Sequence, residues 1–476
     1  MRPTFGQLDL NLRELIQDAA PLRPDAGQPI HPRANQAVLA WQPTLTAGTL
    51  RYVPHGSRFP GPQRHLGFAP ADPDIAFEIR YTLTMPTPPT RREWLAASSL
   101  GLAACSAPPR PGEFSISESP EILGGQKAIT LKRDVPSSGG APILLEAEIL
   151  PGRGFNTWQL RAFLPGKGVT NLFTALSLAD AAKLMTGADN DFRGNESFKN
   201  GGAILVPYAN RIRGKFDAKA RTIETKAAGK TVKLPANWIG KKPGAEPHAM
   251  HGLLLDQPTI ITRRVADANG ATLEASWEKP FQNEWPGALK IQFHASLTTK
   301  AFVLKVIAIN TGTEPCPVGI GWHPYFNIPS GDRRQAKLKI PANTLALVDN
   351  YDNVFPTGVT QPTAGSKFDF RQPRAMGDQF LDDCFLDLIR DANGSVTAEI
   401  HDPASKFAVK VTSASPAVKA YQCYAPPDKS FIVLEPQFNI GDPFNKSVWK
   451  DRDTGIVLLA PGHEVVYDAT VEIGGI

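Results

Sequence analysis

The chain has 476 residues, 42% hydrophobic and 20% charged, enough apolar material for a large buried core. Lys and Arg number 51 against 46 Asp and Glu, a net charge of +5 with no block of like charge to follow a phosphate backbone, which argues against a nucleic-acid partner. The 40 Gly and 44 Pro favour many turns over long helices.

Residues 1–84 are Pro-rich, with short apolar pieces and no sustained period of 2 or 3.6, so they read as a mis-called upstream extension ahead of a true start at Met85, or else as a disordered leader. Residues 85–105 read as an export signal. Arg91 and Arg92 sit in a short polar region, a mildly apolar run from Trp94 to Ala104 is too short to span a bilayer, and Leu102-Ala103-Ala104-Cys105 resembles a lipobox. That order implies a twin-arginine, lipoprotein-type leader, lipidation of Cys105 as the membrane contact, and a periplasmic or cell-envelope location. The competing reading of this stretch is an ordinary Ala- and Leu-rich core helix. Using Cys105 in this way leaves Cys316, Cys384 and Cys423, an odd number, so disulfides do not hold the fold.

A linker over 106–117 leads into a catalytic domain over 118–476. One helix is expected near 176–185. Strand patterning dominates the rest: Leu289, Ile291, Phe293, Ala295 and Leu297 alternate onto one face, and 396–401, 407–411 and 464–473 alternate likewise. The continuously apolar stretches 302–309 and 431–434 read as strands covered on both faces. The expected fold is therefore all-β, packed antiparallel sheets with minor helices.

Four motifs follow in order: Asn200-Gly201-Gly202 running into Pro207-Tyr208-Ala209-Asn210-Arg211-Ile212; His251-Gly252; Trp322-His323-Pro324-Tyr325-Phe326-Asn327; and Leu434-Glu435-Pro436-Gln437. Pro324 biases His323 towards extended backbone, and Trp322, Tyr325 and Phe326 offer aromatic surface for a sugar ring. Glu435 closes an apolar strand, where burial should raise its pKa into the range of a useful base, and Pro436 should stop the ladder just beyond it. Arg211, among apolar neighbours, needs partners, either sugar hydroxyls or an acid such as Asp217. His294 falls on the polar face of its strand, and His248 and His463 have no supporting pattern. There is no zinc spacing, nucleophile elbow or phosphate loop, so neither metal nor cofactor is expected.

The ordered motif set resembles the aldose 1-epimerase (galactose mutarotase) family over about residues 115–476, with Glu284-Trp285-Pro286-Gly287 as a further match. The resemblance implies a galactose mutarotase-like supersandwich that interconverts the anomers of a free aldose. Glu435 would be general base and His323 general acid, and Asn210, Arg211, His251 and Asp382 would hold hydroxyls, Asp382 being preferred to Asp383 by its distance from an aromatic. On that assignment the rate is bell-shaped in pH, with its acid limb from Glu435 and its basic limb from His323. Two departures touch the substrate: Val206-Pro207 stands where the best-studied branch has Gly-Arg, and Leu253-Leu254-Leu255 follows Gly252. They keep a hexose-6-phosphate 1-epimerase, or a non-catalytic carbohydrate-binding envelope protein, as alternatives.

Overall fold

A computed structural model describes residues 114–134, 140–240 and 242–476; the readings on residues 1–113, including the upstream extension, the export signal and Cys105, lie outside the described residues. Alternating apolar segments build two large antiparallel sheets. One has twelve strands, in the order Phe114–Leu123, Gln126–Arg133, Ile143–Leu150, Asn156–Leu164, Gly202–Leu205, Gly321–Asn327, Phe431–Gln437, Ala420–Ala425, Leu381–Leu388, Ala342–Val348 and Pro356–Pro362, with Gly168–Asn171 paired to Asn156–Leu164. The other has nine: Ile260–Ala266, Gly270–Pro280, Ala288–Thr298, Ala301–Asn310, Glu464–Gly475, Phe407–Ser413, Val396–Asp402, Lys337–Lys339 and Arg374–Ala375. The first strand opens at Phe114, so residues 114–117, read as linker, are strand.

Alternation decides which residues meet between the sheets. Leu289, Ile291, Phe293, Ala295 and Leu297 are all buried, and a side chain such as Leu or Ile contributes about 1.5–3 kcal/mol when fully buried. His294 falls on the outer face as expected, 3.4 Å from Glu274. Across the interior, Phe155 stacks on Phe293 at 5.2 Å, Phe302 lies 6.4 Å from Trp322, and the Tyr467 hydroxyl donates to the Pro436 carbonyl at 2.9 Å. The twelve-stranded sheet thus presents Trp322 and Pro436 to the core and leaves its other face for different work.

Ala301–Asn310 differs from expectation. Phe302, Leu304, Val306 and Ala308 are buried, but Val303, Ile307 and Ile309 are only partly so and Lys305 is exposed. The strand is covered on one face, its outward β-branched residues suiting strand geometry without a cover. Phe431–Gln437, by contrast, is buried on both faces beyond Phe431, as expected.

The expected helix spans Leu178–Leu184, capped by the Ser177 hydroxyl, which accepts from the Asp180 amide at 3.1 Å, and Ala181 is its buried residue. Cys316, Cys384 and Cys423 are buried free thiols.

Candidate active site

Strand register brings the proposed acid and base together. Gly321 pairs with Gln437 and Tyr325 with Val433, which sets His323 opposite Glu435 on neighbouring central strands. Opposed residues point to the same face. The formal pairing skips the positions between, where Pro324 and Pro436 each lack the N–H a ladder needs. Pro436 does not end the strand as expected, because pairing resumes at Gln437 on one side and runs through Tyr421 on the other. His323 Nε2 stands 3.7 Å from Glu435 Oε2, beyond hydrogen-bond length.

The next two strands extend the same face. Gln422 pairs with Glu435, and Asp382 pairs with Tyr424, itself opposite Val433. Gln422 donates to Asp382 Oδ1 at 2.7 Å and accepts from Asn210 Nδ2 at 3.1 Å. Asp383 instead takes the Tyr351 hydroxyl at 2.9 Å, so Asp382 is the acid that belongs to the cluster.

Loops supply the remaining groups. Met250 pairs with Arg211, the His251 amide donates to the Asn210 carbonyl at 2.9 Å, and Asn439 grips Ala209 through both N–H and C=O at 2.9 Å. Asn210 and His251 both adopt left-handed backbone, at φ 62° and 63°, which a histidine rarely does unless its surroundings hold it there. Gly252 is required by space: a Cβ would stand 2.3 Å from the Val206 carbonyl oxygen. Arg211 gives Nη2 to Asp382 Oδ2 and Nη1 to Asn210 Oδ1, both at 3.2 Å, while Asp217 caps the Lys219 and Ala220 amides instead. The Glu284-Trp285-Pro286-Gly287 segment acts from behind: Trp285 stacks on Tyr208 at 5.3 Å, and Glu284 pairs with Arg193.

Burial sets the electrostatics. Glu435 is fully buried, neither of its oxygens has a protein hydrogen-bond partner, and loss of water pushes its pKa well above the ordinary value, with Arg211 opposing. Burial lowers His323 to about 3 and takes His251 well below its usual value, Arg211 adding to both. Burial therefore favours the uncharged forms of the imidazoles and of the Glu435 carboxyl, beside the Arg211–Asp382 ion pair. Buried polar atoms without partners are uncommon and call for an explanation, and here Arg211 Nε and His251 Nδ1 share that condition with Glu435.

Three features differ from the sequence reading. Trp322 and Phe326 are fully buried and pack edge-on against Phe173 in the core, so Tyr325, 5.0 Å from the His323 ring, is the aromatic of that motif on the site face. Phe198 had not been anticipated: it packs 4.9 Å from His251 and 6.2 Å from His323, delivered by the short helix Asn195–Phe198. Gln422 was likewise missed, because its role comes from pairing opposite Glu435 and no local motif marks it.

Two packed antiparallel sheets whose central strands and adjoining loops converge on a buried His, Glu, Arg and Asp define the class as an all-β sandwich with a buried acid–base cluster, and comparison gives the family. The aldose 1-epimerase family profile matches residues 176–468, and the chain belongs to that family. The galactose mutarotase of Rattus norvegicus is 28% identical over 232 residues, 46% of this chain and 61% of the rat protein. The aldose 1-epimerase of Escherichia coli K12 is 28% identical over 180 residues, 32% of this chain and 50% of that protein. The aligned part thus spans between half and three-fifths of these relatives. Among solved structures, a galactose mutarotase-like protein of Clostridium acetobutylicum superposes with a TM-score of 0.58 at 21% identity, covering 76% of this chain and 99% of the other. The galactose 1-epimerase of Lactobacillus acidophilus gives 0.54 at 17% identity, covering 77% and 100%. The fold is galactose mutarotase-like.

Proposed function

We propose that this protein is an aldose 1-epimerase acting on a free aldose. The observation that carries the reading is the buried pair: His323 and Glu435 face each other across two strands, and both Glu435 oxygens are left without protein partners. Opening a cyclic hemiacetal removes a proton from the C1 hydroxyl and delivers one to the ring oxygen; after rotation about C1–C2, closure on the other carbonyl face reverses both transfers. A base and an acid at the two ends of one O–C–O unit meet that demand, each transfer typically contributing about 10² to 10⁴ in rate. Glu435 takes the C1 proton and His323 serves the ring oxygen. The pair holds one proton, which sits on His323 for ring opening: His323 gives it to the ring oxygen as the Glu435 carboxylate takes the C1 proton, and closure returns both, so the site is restored after each turnover.

Arg211 and His251 retain a free ring or guanidinium nitrogen to meet the remaining hydroxyls, with Asn210 and Asp382 fixing the guanidinium at 3.2 Å. Pairing of Arg211 with Asp382 already neutralises that cation, which favours an uncharged sugar over a phosphorylated one. Polarimetry of freshly dissolved α-glucose and α-galactose, with glucose 6-phosphate alongside, tests this. Acceleration confined to the phosphate ester would move the assignment to a hexose-6-phosphate epimerase, and no acceleration would leave a binding protein.

Location is part of the same reading. The Arg91-Arg92 pair and the small residues before Cys105 support export and lipidation, which would place the enzyme where free aldoses are met. Mass spectrometry of the native protein decides it: a diacylated N-terminal Cys105 is expected, and peptides from residues 1–84 would overturn it.

A further inference from the structure

A buried polar network that the proposed chemistry leaves unused adjoins the imidazoles. Arg153 and Asp191 are 4% and 0% exposed, and Arg153 Nη2 meets Asp191 Oδ1 at 2.6 Å. Asp191 also accepts the Gly187 and Glu196 amides at 2.9 and 3.0 Å, and Arg153 Nε donates to the Ser197 hydroxyl at 2.9 Å. Ser197 in turn donates to the Leu255 carbonyl at 2.8 Å, and its own carbonyl accepts from Asn156 Nδ2 at 2.6 Å. These bonds converge on the helix Asn195–Phe198 and the turn leading into it, where Arg193 and Gly194 take left-handed backbone at φ 57° and 81°. A helix of one turn does not hold its own shape, so the network sets where it stands. Phe198 ends it. The buried Phe198 ring lies 4.9 Å from His251 and 6.2 Å from His323, the two imidazoles are 4.9 Å apart, and the partly buried Trp238 packs on Phe198 at 5.3 Å.

We propose that the Arg153–Asp191 ion pair is a bolt that sets the Phe198 ring against His251 and His323, so that Arg153, Asp191 and Phe198 are positioning residues for the acid and the imidazole beside it. This rests on the epimerase reading and adds to it residues that touch neither sugar nor reacting atoms. Against well-packed apolar groups a buried ion pair gains little stability, whereas its directed bonds admit one arrangement of the parts they join. What that arrangement secures here is an apolar ring in contact with both imidazoles, which keeps water from them and fixes their planes. The other groups facing these rings come from separate elements. Glu435 stands 3.7 Å from His323 on the neighbouring strand, Tyr325 lies 5.0 Å from it on its own strand, the Arg211 charge acts on both imidazoles, and His248 acts on His251. Arg211 opposes protonation of the imidazoles by its charge, and Phe198 opposes it by excluding water.

Imidazole NMR of the full chain, assigned with His251→Gln and His323→Asn, reads the rings without turnover, and the pH profile of mutarotation reads them at work. In the wild type both rings are expected to stay neutral down to about pH 5, below the ordinary histidine value of about 6.5. Phe198→Ala lets water reach them, so their titration and the acid limb of the rate should both move up by about one pH unit or more. Phe198→Leu keeps apolar cover and should move them less. Exchanging the ion pair as a whole, Arg153→Met with Asp191→Leu, should leave Tm within about 4 °C of the wild type and still reproduce the upward shift. If that double variant does not fold, Ser197→Ala, which removes one bond of the network, should give a smaller shift of the same sign. Imidazoles and acid limb that stay in place in Phe198→Ala, with a rate lowered equally at every pH, would make the network a structural support and overturn the bolt. Absence of mutarotation in the wild type, with the NMR shifts as expected, would sink the epimerase reading and still support it.

Discussion

At the residue scale, everything turns on two groups whose burial drives them towards neutrality. In the proposed mechanism His323 and Glu435 act on one hemiacetal, so losing either leaves water as a poor substitute, and the losses should not multiply. His323→Asn and Glu435→Gln are each expected to lower kcat by about 10² to 10⁴, with the double variant little worse than the singles; multiplying losses, measured by polarimetry, would mean independent roles. The directions of the shifts also reorder the pH profile expected from sequence. The active pair holds one proton, so the acid limb comes from adding a second, at His323, lowered to about 3, and the basic limb from losing the one on Glu435, raised well above its ordinary 4.5. A rate that fell steeply as pH dropped through the ordinary histidine range would contradict this order. The same burial predicts a stability effect. Between the ordinary carboxylate value and its raised value in the fold, Glu435 keeps a proton that the unfolded chain has released, so stability falls as pH rises through that window. Glu435→Gln removes that dependence, and its Tm should gain on the wild type as pH rises above about 4.5, a gain absent at lower pH.

At the scale of elements, the geometry depends on backbone that most side chains would not permit. The crossing of the Gly252 loop behind Val206 leaves 2.3 Å where a Cβ would stand, at φ +83°, and the strained His251 precedes it directly. Gly252→Ala should destabilise the fold by about 1–3 kcal/mol and raise KM more than it lowers kcat, since it displaces His251 and leaves the opposed strands in place. A variant with wild-type Tm and KM would show that the loop yields freely. The elements also explain which predictions succeeded. Strict alternation in 289–297 reports one buried face and was read correctly, whereas 302–309 misled because β-branched residues suit an outward strand face as well as a core. Trp322 and Phe326 misled for a related reason: alternation sends His323 and Tyr325 to one side and those two rings to the other, and the motif read as a string had put Trp322, Tyr325 and Phe326 alike on the sugar.

At the scale of the whole molecule, the residues that converge on the candidate site, His323, Glu435, Asn210, Arg211, His251 and Asp382, were legible because most sit in short motifs, but the way they meet was not. Gln422 and Phe198 join through strand order and loop packing between segments far apart in the chain, which one sequence does not display. The described core nonetheless closes on itself. Its main apolar cluster runs from Phe114 to Val471, the edge strand Phe114–Leu123 is tied to Gln126–Arg133 on both sides of an irregularity between Glu118 and Ile122, and the two large sheets share Trp322, Phe302 and Tyr467 in one interior. One interior shared by both sheets gives no internal seam at which part of the described domain could melt first. A chain begun at residue 106 should therefore melt in a single transition within a degree or two of the full chain, because a shift of about 1 kcal/mol moves the Tm of a domain of 150–250 residues by only about 2–4 °C and a larger one by less. It should also keep the full mutarotation rate, since every group assigned to the chemistry, from Asn210 to Glu435, lies within it. Calorimetry and polarimetry on the two chains decide the point: a shorter chain that melts broadly or turns over slowly would mean that residues before 106 contribute to the enzyme itself, and the export-signal reading of that segment would fall with it.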